Sequence, residues 1–118
     1  MSDVADLPCE MIPGEITSAA VSMVGRLPDG AVLTGTPTCT VTLKRGSGSS
    51  SDVTVTSPSR NSGAITVDGT SVAANKAITC IVNAANATKG QDFELLFSCS
   101  HDGATGGVLK LRCPLRIR

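Results

Sequence analysis

The alternation of apolar and polar residues is clearest in the last quarter of the chain. Phe93, Leu95, Phe97 and Cys99 alternate with mostly polar neighbours, and the same pattern returns after a turn-rich cluster at 101–107. The apolar positions of the second segment are Leu109, Leu111, Cys113, Leu115 and Ile117. A period of two places successive side chains on opposite faces of a strand. The C-terminal quarter is therefore predicted to be a β-hairpin with one buried face.

Shorter segments with the same period precede this hairpin. The clearest covers 38–43, where Cys39, Val41 and Leu43 are predicted to face the core and three threonines the solvent. A strand at 76–83 would turn Ile78, Cys80 and Val82 inward. Three further strands are predicted. The first covers 14–24 and has an irregularity midway, the second begins with Val53 and Val55 and is ended by Ser57-Pro58, and the third covers 64–67. No helix of convincing length is predicted, and segments 71–75 and 83–89 could hold one helical turn each at most.

The number and spacing of these strands predict the fold class. About seven short strands with turn signals between them are typical of a single immunoglobulin-like antiparallel β-sandwich, an all-β fold. This domain is expected to cover residues 14–118. Residues 1–13 contain Pro8 and Pro13 and show no clear period. They are predicted to form an extended N-terminal arm that lies over the domain or reaches a neighbour.

Charge and composition exclude several classes of partner. The formal net charge is zero, whereas binders of nucleic acid or of membrane surfaces normally carry a strongly basic patch. No apolar run approaches the roughly 20 residues of a membrane-spanning helix. The N-terminus has neither a basic leader nor an apolar core segment, so secretion by a cleaved signal is not expected. We therefore expect no nucleic-acid and no membrane partner.

The two ends of the chain carry opposite charge. The charged residues of the first fifteen positions are Asp3, Asp6, Glu10 and Glu15, and those of the last ten are Lys110, Arg112, Arg116 and Arg118. One interpretation is two solvated termini. The other is that the ends meet, within one subunit or between neighbours in an assembly.

The five cysteines are odd in number, so at most two internal disulfides can form. The spacing of Cys39 and Cys99 resembles that of the immunoglobulin inter-sheet disulfide. In a seven-strand sandwich, however, the second and sixth strands run in the same direction, and this would place the two cysteines at opposite ends. Four of the cysteines occupy inward positions, where a free cysteine behaves as a small apolar residue. Cys39, Cys80, Cys99 and Cys113 are therefore predicted to be reduced core thiols, consistent with synthesis in a reducing cytoplasm.

No pattern of residues indicates catalysis, a cofactor or a metal. Cys-x-x-Cys pairs are absent, and the single histidine, His101, is predicted to be an exposed turn residue. A Cys–His nucleophilic pair needs an accessible thiol, and Cys99 is predicted to be buried. Gly103, Gly106 and Gly107 fit a hairpin turn rather than a phosphate-binding loop. We expect no catalytic residue, no cofactor and no metal site, and the chain is not predicted to be an enzyme.

The chain from Gly14 to Arg118 resembles a family of small immunoglobulin-like structural proteins of tailed bacteriophages. The resembling segments are 14–18, the strand 39–43 followed by a Gly-Ser loop, 62–72, 76–83, 91–95 and the closing strand 109–117. The resemblance implies a virion component, made in the bacterial cytoplasm, that decorates the head or belongs to the head–tail region. The implied partners are major capsid, portal or tail subunits. A homo-oligomer or symmetric multimer in the particle is also implied.

Two functions follow as hypotheses. The first is a non-enzymatic virion structural protein, and the alternative is an immunoglobulin-like adhesion or carbohydrate-binding module, which would usually expose Trp or Tyr. A sandwich leaves strand edges that must be covered or paired, and the arm and the last strand are the segments expected to do this between subunits. The candidate partner-binding residues are Leu7, Met11, Ile12, Lys110, Arg112, Arg116 and Arg118.

Overall fold

The structure is a computed structural model that describes residues 3–4, 10–67, 69–103 and 106–118, with the backbone alone at 3–4. The described residues form ten strands and one short 3-10 helix, Ser50–Asp52. The strands are β1 (Asp3–Val4), β2 (Glu10–Met11), β3 (Ile16–Ser22), β4 (Leu33–Arg45), β5 (Thr54–Arg60), β6 (Ile65–Val67), β7 (Thr70–Val72), β8 (Ala77–Asn83), β9 (Asp92–His101) and β10 (Gly107–Ile117). The all-β prediction is confirmed.

The main sheet has the order β2-β10-β9-β4, with β9 at its centre. The predicted hairpin is β9 and β10, which pair antiparallel from Gly107 opposite His101 to Arg116 opposite Asp92. The predicted inward residues Phe93, Leu95, Phe97 and Cys99 of β9 are all buried. His101 belongs to the strand rather than to the turn, so the turn is shorter than predicted.

A second sheet, β3-β8-β5, forms the other layer of the sandwich. Ile78, Cys80 and Val82 of β8 are buried as predicted and share one core with the inner face of β9. Cys39, Val41 and Leu43 of β4 also pack against this core, although each stays half-exposed. Burial of these side chains between two sheets supplies the main drive for folding.

A third, small sheet, β1-β6-β7, covers the outside of the second sheet at one end. Its residues Val67 and Val72 form a separate apolar cluster with Ala20 and Ala77. Segment 71–75, which the sequence allowed at most one helical turn, begins in β7 instead, because Gly69 has a φ of 83° and reverses the chain into the β6–β7 hairpin. The single helical turn allowed at 83–89 is also absent, and hydrogen-bonded turns replace it.

This small sheet also explains why β3, the first long strand, has apolar residues on both faces. The sequence predicts an irregularity within 14–24, but β3 pairs with β8 in unbroken register from Ile16 to Ser22. Ala19 and Val21 face the main core, while Ala20 between them faces the small cluster. The strand has apolar residues in succession because both of its faces are covered there.

The prediction that Ser57-Pro58 ends a strand is wrong. β5 continues to Arg60 across a register shift between Thr56 and Ser59, with Ser57 at a φ of 54°. Proline is tolerated here because β5 lies at the edge of its sheet and the shift removes the need for its missing N–H.

The N-terminal arm contributes a strand to the domain's own main sheet. β2 pairs with β10 in parallel, Glu10 opposite Arg116 and Met11 opposite Ile117, so the sheet is mixed rather than wholly antiparallel. The Arg118 N–H donates to the carbonyl of Met11 at 2.9 Å. Met11 is 1% exposed and belongs to the main core, whereas the neighbouring Ile12 is 61% exposed. The expectation that Met11 contacts a neighbouring subunit is therefore corrected, and Leu7 lies outside the described residues.

Met11 and Ile12 form a matched pair for testing this placement. Met11→Ala should lower the free energy of unfolding by about 2–5 kcal/mol, because it opens a cavity in the core. Ile12→Ala should change it by less than about 0.5 kcal/mol, as for an ordinary surface substitution. Urea unfolding of the full chain and of both variants measures the difference. Equal effects of the two substitutions would show that residues 10–12 do not dock as described.

Candidate interaction surface

The cysteines are the first chemical groups to place. Cys39, Cys80, Cys99 and Cys113 are reduced cysteines, as predicted, and Cys9 lies outside the described residues. The sequence argument that placed Cys39 and Cys99 at opposite ends of the sandwich is wrong, because β4 and β9 are antiparallel neighbours in one sheet. Cys39 lies opposite Phe97, and this makes it a diagonal neighbour of Cys99. Such neighbours are about 7–8 Å apart, beyond the reach of a disulfide.

Burial makes the thiols of Cys39, Cys80 and Cys99 poor nucleophiles. It raises the pKa of Cys39 to about 12, with smaller electrostatic contributions from Cys80 and Cys113. Burial likewise raises the pKa of Cys80 to about 11, helped by Cys113, and that of Cys99 also rises, mainly through burial. Because the thiolate is the reactive form, the arrangement points to packing rather than to covalent chemistry.

Alkylation of the native protein at neutral pH tests this role. Cys39 and Cys80 should react far more slowly than in the urea-unfolded chain, since their thiols stay protonated and covered. Peptide mass mapping follows each cysteine separately, so the reactivity of Cys9 does not interfere. Labelling of native Cys80 at the rate of the unfolded chain would contradict the buried placement.

No group of three or more metal-ligating side chains lies together among the residues that the structure describes. His101 is half-buried at the end of β9, not exposed as predicted, and its Nδ1 accepts a hydrogen bond from the Gly103 N–H at 3.0 Å. The neighbouring Asp102 accepts from the Val32 N–H at 2.8 Å. Both contacts shape the end of the hairpin.

Three of the four predicted basic contact residues are engaged within the chain. Arg116 Nε lies 3.0 Å from Asp92 Oδ1, and Arg112 Nε lies 3.8 Å from Glu94 Oε1. Arg118 forms an ion pair with Glu10. Glu10 and Arg118 thus join the acidic and basic ends inside one subunit, one of the two interpretations that the sequence left open.

These ion pairs surround an open groove of about 370 Å³ on the outer face of the main sheet. Its charged lining residues are Glu10, Lys44, Asp92, Glu94, Arg116 and Arg118. Positive and negative groups neutralise one another there, so the groove has no excess charge of the kind that selects an ionic ligand. Exposed pairs of this type contribute about 0–1 kcal/mol each, and their main effect is to fix the chain ends.

Lys110 is placed differently from the three arginines. It is exposed on β10 opposite Ser98, and it forms no salt bridge with any described residue. Its neighbours along the strand are Val108, which is 58% exposed, and Arg112. This part of β10 therefore combines an unpaired cation with an exposed apolar side chain.

The same stretch is also a sheet edge. β9 pairs with one side of β10, and on the other side β2 pairs only with Arg116 and Ile117. Among the described residues, nothing pairs with the second side of residues 107–112, which we name the open edge. Every second residue of such an edge directs its N–H and C=O away from the sheet. The sequence predicted that this strand contacts partners but not which side of it is open.

The core-facing side chains of the open edge are only partly covered. Leu109 and Leu111 pack against the main core yet remain half-exposed, whereas their partners on β9, Cys99 and Phe97, are buried. Exposure thus increases from the sheet centre to its edge. A strand added beside β10 would cover the flanks of both leucines.

No protein-family model, curated protein or solved structure matches the chain. The described ranges hold no helix long and apolar enough to cross a membrane.

Proposed function

We propose that this chain is a non-enzymatic structural protein of a bacteriophage virion, which binds other virion subunits through the edge of its main sheet. The open edge at 107–112 is the observation that carries this proposal. Among the residues that the structure describes, it combines backbone groups with no strand partner, two partly covered leucines and a lysine with no ion pair. Exposed strand edges are natural templates for pairing with another chain.

The strand order supports the immunoglobulin-like part of the proposal. The ladders β10-β9-β4 and β3-β8-β5 have the connectivity of the G-F-C and B-E-D ladders of immunoglobulin-like domains. The resemblance to small phage structural proteins then favours a particle component, either a capsid decoration protein or a head–tail accessory protein. The buried thiols fit synthesis in the host cytoplasm.

The alternative of a carbohydrate-binding module has less support. Such modules usually stack sugar rings on exposed aromatic side chains. The chain contains two phenylalanines and no Trp or Tyr, and both Phe93 and Phe97 are buried. The surface therefore offers no ring of these types for stacking.

Purified particles of the phage that encodes this chain test the proposal. The protein should sediment with intact virions in a density gradient and be found at a constant ratio to the major capsid protein by quantitative mass spectrometry. A chain present in the lysate but absent from washed particles would contradict a virion role. Binding to a glycan array would favour the alternative.

A further inference from the structure

We propose that the open edge receives an extended acidic segment of a different protein subunit, which adds to the main sheet as a further strand. The segment would alternate apolar residues, facing inward beside Leu109 and Leu111, with acidic residues, facing outward beside Lys110 and Arg112. This inference rests on the proposed function and deepens it, because it specifies the chemistry of the partner.

The backbone sets the mode of binding. The open edge is the continuation of a ladder that already pairs β10 with β9 over ten positions. An added strand would form hydrogen bonds with the outward N–H and C=O groups of 107–112 without any rearrangement of the sheet. β2 limits the addition at one end, since it occupies the positions beside Arg116 and Ile117.

The charges select the partner. Residues 107–112 include Lys110 and Arg112 and no acidic residue. Within the described part of the chain, the one carboxylate that pairs with this stretch is Glu94, 3.8 Å from an Arg112 side chain that is 76% exposed. The carboxylates Asp92 and Glu10 are already engaged by arginines further along the strand. An incoming acidic side chain therefore meets positive charge on the outer face at Lys110 and Arg112.

A second copy of this chain fits the same edge less well. If two open edges pair antiparallel and centred on Lys110, the two lysines lie directly opposite each other. If the pairing is centred on Leu111, each Lys110 lies opposite an Arg112. Like charges directly opposite in a sheet are destabilising. A register centred on Leu109 places Lys110 opposite Val108 and provides no acidic partner, so the edge favours a different protein.

Peptide binding to the full chain tests both parts of the inference. The probe is a short synthetic peptide that alternates valine and glutamate, and its matched control alternates valine and lysine. Fluorescence anisotropy should show binding of the glutamate peptide, weaker at high salt, and no binding of the lysine peptide. The double variant Lys110→Glu/Arg112→Glu should weaken the glutamate peptide roughly tenfold, as loss of two exposed charge pairs and their replacement by repulsion requires.

Two further controls separate strand addition from simple charge attraction. Arg26→Glu removes an exposed cation that belongs to the loop between β3 and β4 rather than to β10, and it should leave the affinity unchanged. A glutamate peptide N-methylated at alternate residues keeps its charge but loses one row of donors, and it should not bind. Equal binding of the methylated peptide, or an equal loss with Arg26→Glu, would overturn strand addition at this edge.

Self-association is the remaining outcome to exclude. If the wild-type chain forms dimers in analytical ultracentrifugation that Lys110→Glu/Arg112→Glu abolishes, the occupant is a second copy and the inference is wrong. Failure here is distinguishable from failure of the proposed function. A chain found in virions that ignores the peptide refutes only the edge inference, and a chain that binds the peptide but is absent from virions refutes only the virion role.

Discussion

The structure depends on the burial of one face of β9. Phe93, Leu95, Phe97 and Cys99 are all buried, and the chain's two aromatic side chains both lie on this face. Without Trp or Tyr, the core has no other large ring to fill the space between the sheets. Because strand side chains alternate, a shift of one residue would turn all four to solvent. The register of β10 and β4 on either side is therefore fixed by β9.

The open edge is a consequence of the same arrangement. β9 is covered on both sides, and β10 is the next strand outward on one of them. β10 is longer than the two-residue β2 that pairs with it, so most of the edge of β10 that faces away from β9 has no strand partner among the described residues. The ion pairs of Arg116 and Arg118 fix the closed end of this strand. The same strand is thus anchored at one end, and at the other its outer edge pairs with no strand that the structure describes.

The sequence predicted the parts that depend on local alternation, namely the β9–β10 hairpin, the inward face of β8 and that of β4. It missed what depends on contacts between distant segments. Asn61 is buried because its side chain donates to the carbonyls of Gly63 and Ala73 and accepts from the N–H groups of Lys76 and Ala77. Nothing in the order of residues near Asn61 indicates these partners.

The candidate site was predictable in its residue types but not in its geometry. The basic residues of the last strand indicated that it differs from the rest. They did not indicate that three arginines pair with carboxylates of the chain while Lys110 pairs with none of the described ones. The place of Met11 was missed because a two-residue strand leaves no period to detect. Because the arm supplies a strand ahead of those counted from the sequence, the strand of Cys39 is the third of the two main sheets rather than the second, and it pairs directly with β9.

Residue-resolved amide hydrogen exchange of the free full chain tests the central claim, a closed β9 beside an open β10. Amides throughout β9 should exchange slowly, because both neighbouring strands protect them. Within 107–112, exchange should alternate, with slow amides directed at β9 and fast amides directed outward. Uniformly slow exchange along 107–112 would show that the edge is already covered in the free protein, and fast exchange within β9 would contradict its place at the centre of the sheet.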